Sequence, residues 1–141
     1  MSAVPPSEVA AVATTAAGGA RRHGPAGVLV ALALAVAVQL LVLYLPEGVG
    51  PPPFPQADKL AHVTIFLVPV ALAVVAGWRR WAVAAVFGAH ALLSEVVQSV
   101  LLPHRSGDPL DAVADLTGVA LGVLVGTMVL RWWSDPHRER G

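Results

Sequence analysis

The chain has 141 residues, of which 56% are hydrophobic and 13% charged, and its formal net charge is zero. An average soluble domain carries about twice that share of charge, so a water-soluble bundle with polar outer faces is excluded. With no cysteine, disulfides and thiolate chemistry are excluded as well, and no basic face is available for nucleic acid.

Residues 1–25 are rich in alanine, proline, threonine and glycine and lack helical periodicity, which predicts a disordered tail. Arg21 and Arg22 sit directly before an apolar run, a pattern that can mimic a signal peptide. The run is too long for that and no small-residue cleavage site follows it, so the first helix is expected to be retained. It covers residues 26–45 (AGVLVALALAVAVQLLVLYL), has no charge, and contains Gln39 as its one strongly polar side chain. Crossing a bilayer core takes roughly 20 apolar residues, so this run reads as a transmembrane span. The stretch PEGVGPPPFPQA that follows is too rich in proline for a helix and reads as an extended connector.

Residues 60–77, 81–102 and 110–130 are three further windows of spanning length, each with ionisable residues inside it. A tight WRR turn joins the second to the third, and the short PHRSGDP joins the third to the fourth, so each of these pairs is expected to pack as neighbours. The expected fold is all-α, a four-transmembrane-helix bundle over residues 26–133 with a second tail at 134–141. Arg21, Arg22, Arg79, Arg80, Arg131, Arg138 and Arg140 fall on one side of the four spans, leaving only Lys59 and Arg105 on the other. The positive-inside rule then predicts that both termini are cytoplasmic. Trp78, Trp81, Trp132 and Trp133 all lie at the same ends as the arginines, where amphipathic rings favour the interface.

The third span contains Glu95, about 10 Å below its outer end at 1.5 Å per residue. A carboxylate at such depth costs roughly 2.5–3.5 kcal/mol on insertion scales and usually faces the bundle interior. Ala84, Gly88, Ala91, Glu95 and Gln98 recur at helical spacing and form one stripe, and small residues mark close helix approach. In the fourth span Asp111, Asp115, Gly118, Gly122 and Gly126 form another stripe, whose lower part is a G-xxx-G-xxx-G ladder. In the second, Asp58, His62, Pro69 and Ala76 share a face. Three spans thus carry polar residues in their outer halves: Asp58, Lys59, His62, Glu95, Gln98, Arg105, Asp108, Asp111 and Asp115. The expectation is one polar site, open to the outside and sunk into the outer leaflet, with Gly88, Gly118, Gly122 and Gly126 packing the helices around it.

The segments DKLAH at 58–62, SEVVQ at 94–98 and HRSGDPLDAVADLTG at 104–118, with Gly122 beyond, make the chain resemble the VanZ-like family of small bacterial membrane proteins. In that family the pattern is D-K-x-x-H, then S-E-x-x-Q, then R-x-x-D-x-x-D-x-x-x-N-x-x-G. Order and spacing agree from Asp58 to Gly122, with one departure: Asp115 stands where many relatives carry asparagine. The family takes its name from a protein linked to low-level teicoplanin resistance. The resemblance implies a multi-pass protein of the bacterial cell membrane that interacts with a cell-envelope component or a glycopeptide antibiotic.

Other readings of the polar residues stay open. They can be structural glue, with Lys59 paired to Asp111 or Glu95 and Arg105 to Asp108. Five acids against two bases leave an excess of negative charge, which suits a cation. His62, Asp58, Glu95, Asp111 and Asp115 are the candidate ligands for Mg²⁺, Mn²⁺ or Zn²⁺. A lipid-linked envelope precursor is a third occupant, its phosphate at Lys59 and Arg105. An enzyme acting on a lipid-linked phosphate is the minority reading, because Ser94 and Ser99 lie off the Glu95 stripe and no nucleophile is placed. His90, about 140° around the helix from Glu95, is expected to be a satisfied interhelical histidine. The oligomeric state is left open.

Overall fold

The computed structural model describes residues 25–44, 54–101 and 108–134. Among these residues the chain is all-α, with helices α1 (Pro25–Tyr44), α2 (Ala57–Val75), α3 (Arg80–Leu101) and α4 (Pro109–Trp133). All four are long and apolar enough to cross a membrane. The first tail, most of the proline-rich connector, Arg105 and most of the second tail lie outside the described residues.

Local chemistry explains where the helices start and stop. At the start of α4, the Asp108 carboxylate accepts from Leu110 N–H at 2.9 Å and Pro109 takes the first helical position. An aspartate cap satisfies an orphan donor, and a proline there has no N–H to lose. α2 begins three residues before the expected span, so Asp58 and Lys59 belong to its first turn. It ends in a Schellman motif: Gly77 has φ +91°, Gly77 N–H donates to Val74 O, and Trp78 N–H to Ala73 O. Glycine accepts that left-handed backbone without strain, which is how the turn into α3 is kept so tight. Pro69 lies buried inside α2, which continues past it to Val75.

α2 and α4 make the most extensive contact in the bundle, followed by α1 with α2 and α3 with α4. The contact of α2 with α3 is slighter, although the turn between them is short. α2 and α4 run parallel in a single register. Lys59 meets Asp111, His62 meets Asp115, Gly118 lies against Phe66, Gly122 against Val70 and Gly126 against Val74. A Cβ on Gly122 would fall 2.7 Å from Leu67 O and Val70 Cβ, and one on Gly126 2.8 Å from Ala71 O and Val74 Cβ. A Cβ on Gly118 would meet Val63 O and Phe66 Cβ. The glycine ladder therefore brings the α4 backbone directly onto α2. Gly88 is different: its nearest neighbour would be Leu116 Cδ2 at 3.8 Å, an ordinary contact.

The core is built from Phe66, Val70, Ala73 and Val74 of α2, Val83, Phe87 and Ala91 of α3, Val119 of α4, and Leu32 and Leu43 of α1. Leu34, Val86, Leu93, Val100 and Trp81 are exposed on the outer faces, where a bilayer can cover them. The buried stripe of α3 is Val83, Phe87, Ala91, Ser94 and Gln98. It lies one step around the helix from the small-residue stripe read in the sequence, so Ala84, Gly88 and Glu95 sit at its edge.

Candidate functional site

The close α2–α4 seam sets the site, because its register carries Lys59 and His62 of α2 to Asp111 and Asp115 of α4. Two layers result. In the layer nearer the helix ends, Lys59 Nζ lies 2.5 Å from Asp111 Oδ1, 2.6 Å from Asp108 Oδ2 and 3.1 Å from Asp58 Oδ2. Lys59 and Asp111 are largely covered, while Asp58 is exposed. The Lys59 ammonium, helped by Leu110 N–H, holds the Asp108 carboxyl below the usual carboxylate range. Three carboxylates thus surround one ammonium, which donates to Asp108 and Asp111.

One helical turn deeper, His62 Nδ1 lies 2.8 Å from Asp115 Oδ1, with both side chains buried. Glu95 of α3 completes this layer. Its two carboxylate oxygens are buried and make no hydrogen bond, and neither does Asp115 Oδ2. His62, Glu95 and Asp115 each offer one ligand atom within 4.8 Å of the others. With Asp115 ionised the donor of this bond is His62 Nδ1–H; with Nδ1 deprotonated the same two atoms stand as a pair of acceptors 2.8 Å apart.

The nine residues singled out in the sequence are therefore divided. His62, Glu95 and Asp115 converge. Asp58, Lys59, Asp108 and Asp111 form the ionic layer above them. Gln98 is buried but turns away, its Nε2 donating to Leu43 O at 3.0 Å and so meeting a carbonyl in the last turn of α1. Arg105 lies outside the described residues. Among the five metal candidates, Asp58 and Asp111 turn to the lysine instead. Lys59 is not a free rim cation, because its own neighbours have taken it.

His90 contacts another helix, as its reading as an interhelical histidine expects, but its partners Tyr44 and Phe66 were not read from the sequence. Tyr44 Oη and His90 Nε2 are 3.4 Å apart, and the His90 ring packs at 5.5 Å from that of Phe66. Gln39 is fully buried, with both amide atoms unpartnered. Its status as the one strongly polar side chain of the first span was the available signal. The role of Asp108 was legible in principle from the Asp-Pro pair opening an apolar helix.

The site is rich in acceptors, and none of its described residues is an activated nucleophile. Among the described residues every serine and threonine hydroxyl donates to a carbonyl three or four residues back, including Ser94 to Ala91 O and Ser99 to Val96 O. What the arrangement offers is a place for positive charge or for hydrogen-bond donors. Comparisons with protein families, with curated proteins and with solved structures gave no match.

Proposed function

We propose that this is a multi-pass protein of a bacterial cell membrane, with cytoplasmic termini and the acidic end facing outward. There it takes hold of a cationic or hydrogen-bond-donating group on a cell-envelope component, glycopeptide antibiotics included. The arginines and tryptophans clustered at the opposite end support this orientation. One observation carries the binding reading: three carboxylate oxygens, two on Glu95 and one on Asp115, are buried without a partner where three helices meet. Buried polar groups are ordinarily hydrogen-bonded, and such unpaired acceptors are costly unless something fills them. The resemblance to VanZ-like proteins supports the choice of an envelope ligand.

A purely structural role fits only the upper layer, where Lys59 and its aspartates tie α2 to α4. A phosphate-processing enzyme is disfavoured, because Lys59 is already engaged and, among the described residues, every serine and threonine hydroxyl donates to a backbone carbonyl. The test is binding of a lipid-linked peptidoglycan precursor, and separately of teicoplanin, to the purified protein in nanodiscs. Glu95→Gln is expected to weaken binding at least tenfold without lowering the melting temperature, because the Glu95 carboxylate makes no hydrogen bond. Teicoplanin susceptibility of expressing cells should change in parallel. Binding unchanged by Glu95→Gln would overturn the reading.

A further inference from the structure

We infer that His62, Glu95 and Asp115 bind one divalent transition-metal cation, of the Mn²⁺ or Zn²⁺ type, at the junction of α2, α3 and α4. The inference rests on the reading of this layer as a ligand site and names what fills it. Four observations lead there. The three residues come from three different helices, yet present ligand atoms within 4.8 Å of one another. Ligands at about 2.1 Å from a metal lie about 3.0–3.4 Å apart at octahedral or tetrahedral angles and at most about 4.2 Å when opposite, so side-chain shifts of roughly half to one and a half ångströms close the shell.

The second observation is Asp115, which is 0% exposed and has Oδ2 unpartnered. The third is charge. Two carboxylates with buried oxygens match a divalent ion, whereas a monovalent cation neutralises only one of them. A proton on Glu95 removes a charge but leaves its O–H and C=O as partnerless as before. The fourth is the imidazole. Its Nδ1 lies 2.8 Å from Asp115 Oδ1, close to the spacing of two ligand atoms on one ion, so a deprotonated Nδ1 and this oxygen can bind the same cation. One nitrogen with carboxylate oxygens favours Mn²⁺ or Zn²⁺ over Ca²⁺, which prefers an all-oxygen shell. The lysine layer above offers no second site, since an ammonium already occupies it.

The experiment uses the full-length, tag-free chain in detergent, stripped with a chelator and titrated with Mn²⁺ or Zn²⁺ by calorimetry. Bound Mn²⁺ is also read by pulsed electron paramagnetic resonance for coupling to nitrogen. One site per chain is expected, with affinity at least tenfold lower in Glu95→Gln and nitrogen coupling lost in His62→Ala. Asp58→Asn, outside the cluster, should bind as the unmodified chain does. Glu95→Gln keeps the test sound even where His62→Ala or Asp115→Asn disturbs folding, because the Glu95 side chain makes no hydrogen bond in the fold. No saturable binding of either ion, or equal affinity in Glu95→Gln, overturns the inference. Absence of metal binding together with loss of precursor binding in Glu95→Gln would remove the metal and leave the envelope reading standing. Metal binding without precursor binding would do the reverse.

Discussion

Gly122→Ala is the sharpest perturbation of the seam that positions the site. The new methyl carbon would lie 2.7 Å from Leu67 O and 2.7 Å from both Val70 Cβ and Cγ1. Carbon atoms pack best at about 3.5–4.0 Å, so relief requires α2 and α4 to separate by roughly 1 Å. Leu67 O is backbone and cannot rotate away. A gap of that size forfeits about a quarter to a half of each dispersion contact along the interface, and overpacking of this kind costs about 1–3 kcal/mol. Alanine recovers up to about 1 kcal/mol of helix propensity, leaving a net loss of up to about 2 kcal/mol. The same separation would stretch the 2.8 Å His62–Asp115 bond beyond hydrogen-bond range. Melting in detergent should therefore fall, and affinity at the His62–Glu95–Asp115 site with it. Gly88→Ala is the control. Its methyl would meet only Leu116 Cδ2 at 3.8 Å, so its melting temperature should stay level or rise. A Gly122→Ala protein at least as stable as the Gly88→Ala one would refute the argument that the ladder is a close-packed seam.

Two further outcomes follow from individual bonds. Gln98→Leu removes the hydrogen bond to Leu43 O and should destabilise the fold by about 1 kcal/mol in thermal melts. Ligand affinity should be unchanged, since Gln98 is turned away from Glu95; a loss of affinity without loss of stability would return it to the site. Lys59 lowers the Asp108 carboxyl in the folded state, so the stability from this contact is present above the unfolded carboxylate value of about 4 and is lost as pH falls below it. Asp108→Asn should flatten that acid limb of a melting-temperature profile while leaving the neutral region level; an unaltered acid limb would show that Asp108 does not contribute.

The four spans were legible because uninterrupted apolar runs leave a chain few other choices, and the acidic residues of the last three spans visibly gather at one end. The glycine ladder was legible as a close-packing surface, but its partner was not. Short connections point to sequence neighbours, whereas the dominant seam joins α2 to α4, which are not consecutive. On α3 the reading followed Ala84 and Gly88, although small residues are tolerated at the edge of a packing face as well as in its centre. Val83, Phe87 and Ser94 hold the buried positions, one step away. Asp58 and His62 share a helix face by spacing, yet Asp58 belongs to the first turn of α2 and is exposed, while His62 is buried against α4. Spacing gives direction around an axis and says nothing about depth along it.

From Lys59 to Val74, α2 keeps one unbroken alignment with α4, secured by ions at one end and by backbone contact below. Such a pair behaves as a single stiff plank. Outside it stands α3, which carries Glu95, lies only lightly on α2 and makes its larger contact with α4. The carboxylate with neither oxygen bonded is thus mounted outside the stiff pair, on the helix that touches α2 least.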